Sequence, residues 1–269
     1  MKPVDFSYLN AVTVDQAVQA LGSNPCSVVS GNQSLGPMIN LRLARPNILL
    51  DVSRVTELRR AVETEDAVEF GTAVTHAEIE DGIVPDPTDG WMRSAASNIA
   101  HRAVRNRGTI GGSLCHADPA ADWVTVLPAL HARVTIIGPQ GSRELDADAF
   151  VLGPYSNALV DGEMVKSITV PKPSSAARWG YWKFVRQVGE FAKASAAVLD
   201  DPETGRCRVV VGALGRKPVV IDGAGGIVSK QIDGKQALEQ ALTDVPIAEL
   251  RMQAIAIDRA VERLAQAQD

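Results

Sequence analysis

Two short runs, Ser30-Gly31-Asn32-Gln33-Ser34-Leu35-Gly36 and Thr109-Ile110-Gly111-Gly112-Ser113, hold the residue types best suited to chemistry. In each, small residues leave consecutive backbone N–H groups uncovered, with hydroxyls beside them, which suits phosphate oxygens. Together they could hold the two halves of a diphosphate. The same residues also make ordinary strand-to-helix turns, because glycine tolerates positive φ, and composition leaves both readings open. Two familiar nucleotide loops are excluded. G-x-G-x-x-G is absent, and although Gly31 and Gly36 have Walker spacing, Pro37 and Met38 stand where Lys and a hydroxyl residue are required.

Further candidates lie near these runs. Asp118 and Asp122 are four apart, the spacing of an acid/base pair on one helix face, but Asp118 before Pro119 reads first as a helix N-cap. Lys183 sits in an apolar extended segment, where an amine either snorkels to water or serves a ligand. His76, His101, His116 and His131 are scattered, and His116 with Asp118 lacks a third ligand, so no metal site is expected. Cys26, Cys115 and Cys207 are few, odd in number and far apart, which predicts neither a disulfide framework nor a cluster of the chain's own. A cytoplasmic protein is expected. Cys115, beside the second loop, reads as a redox-active thiol or a small buried one. Arg102, Arg105 and Arg107 read as phosphate or partner contacts, or as salt-bridged loop residues.

The elements that must position these residues are interleaved helices and strands. Thr13 with Gln16 forms a capping box for a helix stopped at Gly22, and Thr75 with Glu78 forms another. Residues 26–30 and 48–52 read as strands around the first loop, and 58–74 as a hairpin. A helix over 89–101 leads into the second loop, and Trp123, Leu127 and Leu130 mark one face of the helix after Asp118. Residues 133–137 and 142–145 form a hairpin, with a strand at 164–170. Pro171-Lys172-Pro173-Ser174-Ser175 is the main domain border. Beyond it, 179–185, 194–199 and 208–214 are extended, and Leu250, Ile257, Val261 and Leu264 recur on a helix reaching Ala265.

The 269 residues suffice for two or three subdomains, and 45% hydrophobic with 22% charged residues is ordinary globular usage. A formal charge of −5 gives no broad basic face, so nucleic acid is not expected as a partner. No run approaches the ~20 apolar residues of a membrane span, and the first ten residues do not read as a signal peptide.

Ser30-Gly31-Asn32-Gln33-Ser34-Leu35, with Pro37-Met38-Ile39-Asn40-Leu41-Arg42-Leu43 and Pro46, resembles the first flavin loop of the FAD-binding medium subunits of molybdenum hydroxylases. That family includes xanthine dehydrogenase and aerobic carbon monoxide dehydrogenase. Val104-Arg105-Asn106-Arg107-Gly108-Thr109-Ile110-Gly111-Gly112-Ser113-Leu114, with His116-Ala117-Asp118-Pro119-Ala120-Ala121-Asp122, is similar to its second loop. Tyr181-Trp182-Lys183-Phe184 resembles its C-terminal part, and the likeness thins after about Gly223. The resemblance implies an α+β protein. A two-subdomain FAD-binding fold of the vanillyl-alcohol-oxidase/PCMH type would span 1–172 (subdomains about 1–55 and 56–172). An α+β domain of the CO dehydrogenase flavoprotein type would span 173–269.

It implies FAD contacts from Ser30, Gly31, Asn32, Gln33, Ser34, Leu35, Thr109, Gly111, Gly112, Ser113, Asp118, Asp122, Ile168, Lys183 and Phe191. Asp122 would bond ribityl or ribose hydroxyls, and Lys183 would approach the ring and favour its anionic reduced form. Phe191, where some relatives have tyrosine, keeps a stacking surface without the hydroxyl. Asn32 replaces one of two adjacent glycines, and asparagine tolerates left-handed backbone. Gln33 stands where many relatives have histidine, so the FAD is expected to be noncovalent. The implied function is an electron-transfer subunit in a dimer of heterotrimers. A large subunit would hydroxylate substrate at a molybdopterin-bound molybdenum, a small one would carry 2Fe–2S clusters, and FAD here would pass electrons to an external acceptor. No side chain of this chain need act as nucleophile or base. Two rivals remain: a non-redox nucleotide-binding or assembly protein, and a stand-alone flavin oxidase. Colour and FAD uptake test the first, and turnover without partner chains tests the second.

Overall fold

The computed structural model describes residues 2–264, so Ala265 and the expected end of the last helix lie outside the described residues. The first unit comprises β1 (Ser7–Asn10), α1 (Val14–Ser23), β2 (Ser27–Val29), α2 (Leu35–Asn40) and β3 (Ile48–Asp51). Its parallel sheet has the order β1-β3-β2. Parallel strands need crossovers, and α1 and α2 supply them. Ala17, Leu21, Leu50 and Val52 pack in one core cluster, and Val29, Ile39 and Leu49 in another. Only half of the first capping box forms: Thr13 accepts the Gln16 N–H, while the Gln16 amide accepts from Val12 instead.

The second unit starts with the hairpin β4 (Ala61–Glu63) and β5 (Ala67–Gly71). Five short helices follow: α3 (His76–Glu80), α4 (Trp91–Ser97), α5 (Arg102–Arg105), α6 (Ile110–His116) and α7 (Asp122–Ala129). Then come β6 (Arg133–Gly138), β7 (Gly141–Asp146), α8 (Ala147–Phe150), the small ribbon β8 (Val151–Gly153) and β9 (Ser156–Asn157), and β10 (Met164–Pro171). The main sheet, β4-β5-β10-β6-β7, is antiparallel. Thr75 and Glu78 form the complete capping box expected at α3.

Several sequence expectations fail here. Gly111 and Gly112 lie inside α6 rather than in a turn, with Thr109 capping it by accepting the Gly112 N–H. Gly111 is needed for close approach, since a Cβ there would lie 1.8 Å from Thr72 Oγ1. Asp118 is not an N-cap, because its carboxylate turns back to the Ala120 N–H at 2.9 Å, a local turn that competes with helix. The helix begins at Asp122 with Ala121 at the cap position, so Asp118 and Asp122 do not share a helix face. Nor does α7 have one apolar face. All eight of its residues are buried, because it shares a core with β6, β10, β12 (Ala194–Asp201) and β13 (Arg206–Gly212).

The third unit is an antiparallel meander of β11 (Arg178–Phe184), β12, β13 and β14 (Val219–Asp222). It is followed by α9 (Gly225–Val228), α10 (Gly234–Ala241) and α11 (Arg251–Leu264). Both sheet faces are covered, which explains the nearly continuous apolar runs of β12 and β13. Ala194, Ala196, Val198, Val209 and Val211 meet the residues of α10 and α11, whereas Ala197, Leu199 and Val210 join the core around α7. The indoles of Trp91 and Trp179 stack with centroids 5.4 Å apart, tying α4 to β11.

Candidate FAD site

The two glycine-bearing loops, far apart in the sequence, are in direct contact. A Cβ on Gly31 would lie 2.0 Å from the Arg107 carbonyl oxygen and 2.9 Å from Gly108 Cα. Around this seam is a cavity of about 510 Å³, lined by residues of both loops, by Ile99, Ala100 and Val104, and by Gly189, Glu190 and Phe191 of the third unit. Of the expected contacts, Ser30, Gly31, Asn32, Gln33, Ser34, Leu35, Thr109, Gly112, Ser113, Asp118, Asp122 and Phe191 line it. Gly111, Ile168 and Lys183 do not. Gly111 is packed on Thr72, and Ile168 lies in β10, fully buried in the central core.

The loops differ in what they offer. Among the described residues, the N–H groups of Gly31, Asn32, Gln33 and Ser34 donate to no protein acceptor, and the buried Ser30 Oγ has no partner. An unmet buried hydroxyl is costly in a folded chain, so Ser30 Oγ, with the open amides beside it, is placed to receive an acceptor. Asn32 has φ +59°, the left-handed backbone that glycine would otherwise supply. The Gln33 amide bridges the loop by donating to the Gly31 carbonyl at 3.0 Å.

In the second loop the amides are already used. Gly111 N–H donates to Thr72, Gly112 N–H to Thr109 Oγ1 and Ser113 N–H to the Thr109 carbonyl. The expectation of consecutive open amides therefore holds for the first loop and fails for the second. What the second loop presents to the cavity is the hydroxyls of Thr109 and Ser113 and the bare Cα of Gly112.

Asp122 is anchored at the start of α7. Its Oδ1 accepts from Tyr181 Oη and from Lys183 Nζ, each at 2.7 Å, and Lys183 also donates to the Asn98 carbonyl at 2.7 Å. The Lys183 side chain is 9% exposed, so it does not snorkel. It locks β11 to α7 and to the end of α4. Burial and the neighbouring carboxylate push the Tyr181 phenol well above its usual range, keeping it a neutral donor. Asp118 accepts from the exposed Tyr155 at 3.3 Å.

Other candidates resolve into structural roles. Burial pushes the Cys115 thiol up to about 12, which removes thiolate reactivity. Arg105 is forked onto Glu80 and donates to the Ile99 and Ala100 carbonyls, and Arg102 pairs with Glu80 and Asp81. Both brace the approach to the second loop. His76, which sequence spacing left unassigned, lines the cavity. Tertiary contacts tie it to the second loop: the Thr75–Thr109 bridge and the His76 N–H to Gly108 carbonyl bond at 2.9 Å. Among the described residues no group of three His, Cys, Asp or Glu could hold a metal ion, and no helix is long and apolar enough to cross a membrane.

The family described as FAD binding domain in molybdopterin dehydrogenase matches residues 4–173. The chain belongs to the FAD-binding medium subunits of the molybdenum hydroxylases.

Relatives of this medium subunit include the nicotine 6-hydroxylase medium subunit of Paenarthrobacter nicotinovorans, 35% identical over 80% of this chain and 77% of that one. The glyceraldehyde dehydrogenase medium chain of Sulfolobus acidocaldarius is 32% identical over 91% of this chain and 87% of that one. Among solved structures, carbon monoxide dehydrogenase from Hydrogenophaga pseudoflava superposes with TM-score 0.89 at 27% identity, covering 99% of both chains. The fold is therefore the α+β arrangement of the CO dehydrogenase flavoprotein. The chain is an oxidoreductase subunit of a multi-subunit dehydrogenase family whose partner subunits carry iron–sulfur clusters and the molybdenum cofactor. FAD suits the donors found here, because its diphosphate supplies the acceptors that Ser30 Oγ and the first-loop amides lack.

Proposed function

We propose that this medium subunit works in a heterotrimer, assembled as a dimer of heterotrimers in the cytoplasm. Its FAD would take electrons from 2Fe–2S clusters of a small subunit and pass them to an external acceptor, after a large subunit has oxidised substrate at molybdenum. The observation that carries this reading is the seam at Gly31. There a loop of unpaired amides backs directly onto a second loop of hydroxyls around one cavity. Three free cysteines accord with a reducing compartment.

When bound, FAD supplies the one- and two-electron chemistry. The chain's own residues bind and orient it. In this proposal Ser30 Oγ and the N–H groups of residues 31–34 hold one phosphate, and Thr109 and Ser113 hydroxyls hold the other. Gly112 leaves room for close approach, Asp122 accepts sugar or ribityl hydroxyls, and Phe191 offers a stacking surface. Ile168 is buried in the central core and does not line the cavity, so it has no direct contact role in this proposal. Lys183 serves chiefly by fixing Asp122, since its amine is already committed to two acceptors. With Gln33 in place of a histidine, the FAD is noncovalent. In this proposal the cofactor domain spans 1–172, and the domain at 173–269 closes one flank of the cavity with Gly189, Glu190 and Phe191.

The test is purification of the tagged full chain from its native cells, followed by subunit and cofactor analysis. The expected result is a complex of three different chains with FAD, iron and molybdenum. A colourless chain that takes up no FAD overturns the cofactor reading. A flavin-loaded lone chain that turns over a small organic substrate overturns the electron-transfer role.

A further inference from the structure

The cavity contains a buried donor that neither loop supplies. His76 is 3% exposed, at the first position of α3, with its ring against Trp123. The indole Nε1–H of Trp123 donates to His76 Nδ1 at 3.1 Å. An indole nitrogen is only ever a donor, so Nδ1 must be the acceptor and the ring proton sits on Nε2. That Nε2–H donates to no protein group among the described residues, although the residue lines the cavity. Its Nε2 edge lies at the seam, 3.1 Å from where a Gly108 Cβ would stand, beside the point where Gly31 abuts Arg107. Among the described residues no lysine or arginine lines this cavity, whereas Asp118, Asp122 and Glu190 do, with His76 and His116. An anion placed at the seam meets no lysine or arginine among the described residues, so hydroxyl, amide and imidazole donors must hold it.

We propose that His76 is a diphosphate-binding residue of this subunit: as the Nε2–H tautomer fixed by Trp123, it donates a neutral hydrogen bond to a phosphate oxygen of FAD where the two loops meet. This rests on the reading of the cavity as the FAD site. The arrangement explains why a histidine is buried beside a tryptophan here: Trp123 selects the tautomer, and burial holds the ring uncharged at neutral pH, with its pKa brought down to about 3. A neutral donor adds directionality at the seam without burying a cation.

Two substitutions separate the halves of the residue. In His76→Asn the shorter amide oxygen can replace Nδ1 as the acceptor for Trp123 but does not reach the cavity. In His76→Gln the amide nitrogen reaches the Nε2 position, and the Trp123 indole loses its partner. FAD is titrated into FAD-free full chain by flavin fluorescence, with urea unfolding of the FAD-free form in parallel. His76→Asn is expected to raise Kd by ~10- to 100-fold, the value of one hydrogen bond to a charged group, with little loss of stability. His76→Gln is expected to be the less stable variant and the tighter binder of the two. The reverse order, or an unchanged Kd in His76→Asn, overturns the proposal. Independently of any variant, ring ¹H–¹⁵N NMR of the native chain should show His76 as the Nε2–H tautomer and show that proton shifting when FAD is added. A chain that binds FAD with this resonance unmoved refutes the role of His76. A native chain that binds no FAD instead refutes the cofactor reading beneath it.

Discussion

Replacing Gly31 with alanine tests the contact between the loops directly. The added methyl would sit 2.0 Å from the Arg107 carbonyl oxygen and 2.7 Å from its carbon, where ordinary contact begins at 3.4 Å. The atoms met are backbone on both sides, so no side chain can swing away. The loops must part by about 1.4 Å along that line, and overpacking of this kind costs about 1–3 kcal/mol. The larger effect should fall on the cofactor. Donors reach an acceptor over about 2.7–3.2 Å, so a separation of that size removes at least one hydrogen bond to the diphosphate, worth ~10- to 100-fold in Kd for a charged acceptor. The assay is fluorescence titration of FAD into FAD-free Gly31→Ala chain, with Gly153→Ala as control, since a Cβ at Gly153 meets nothing within 4 Å. The control should bind as the native chain does. If Gly31→Ala also binds FAD with native affinity while remaining folded, the two loops do not share a ligand, and the reasoning fails.

Lys183→Met leaves the buried Asp122 carboxylate without its cationic partner and should cost about 3–5 kcal/mol in urea unfolding of the FAD-free chain. The double variant Lys183→Met/Asp122→Asn, which retains an acceptor for Tyr181, should recover at least half of that, and equal losses in both would show that the pair is not coupled. The folded-state pKa of His76, about 3, lies below its unfolded value of 6.5. Between these values the unfolded chain binds a proton that the folded chain does not, so stability falls as pH is lowered from 6.5, by at most about 1.4 kcal/mol per unit. His76→Asn should flatten that slope between pH 6.5 and 5, and an unchanged slope assigns it to other groups. Cys115, half-buried at the cavity wall with its thiol pushed up to about 12, should react slowly with an alkylating agent at pH 8 in the folded chain and faster once urea unfolds it, whereas equal rates in the two states would contradict the raised pKa.

The sequence alone exposed what depends on neighbours in the chain. Period-2 and apolar runs marked most strands, Thr75 with Glu78 marked the start of α3, and the glycine and hydroxyl residues marked the first loop, because these signals are local backbone preferences, whereas Gly111 and Gly112 read as a turn and lie inside α6. Asn32 was legible as a left-handed position for the same reason, and its φ of +59° agrees. Tertiary structure decided everything set by long-range packing or by competition for hydrogen bonds. No spacing rule says that Thr72 consumes the Gly111 N–H, that Trp123 sets the tautomer of His76, or that Lys183 is spent on Asp122. Asp118 lost its N-cap role to a turn within its own segment, and the all-round burial of α7 followed from a third sheet arriving 70 residues later. Residue types and order thus pointed to the two loops proposed to hold the ligand. Only folding could show which of their donors remain free, since an N–H group is available to a cofactor only if no distant part of the chain reaches it first.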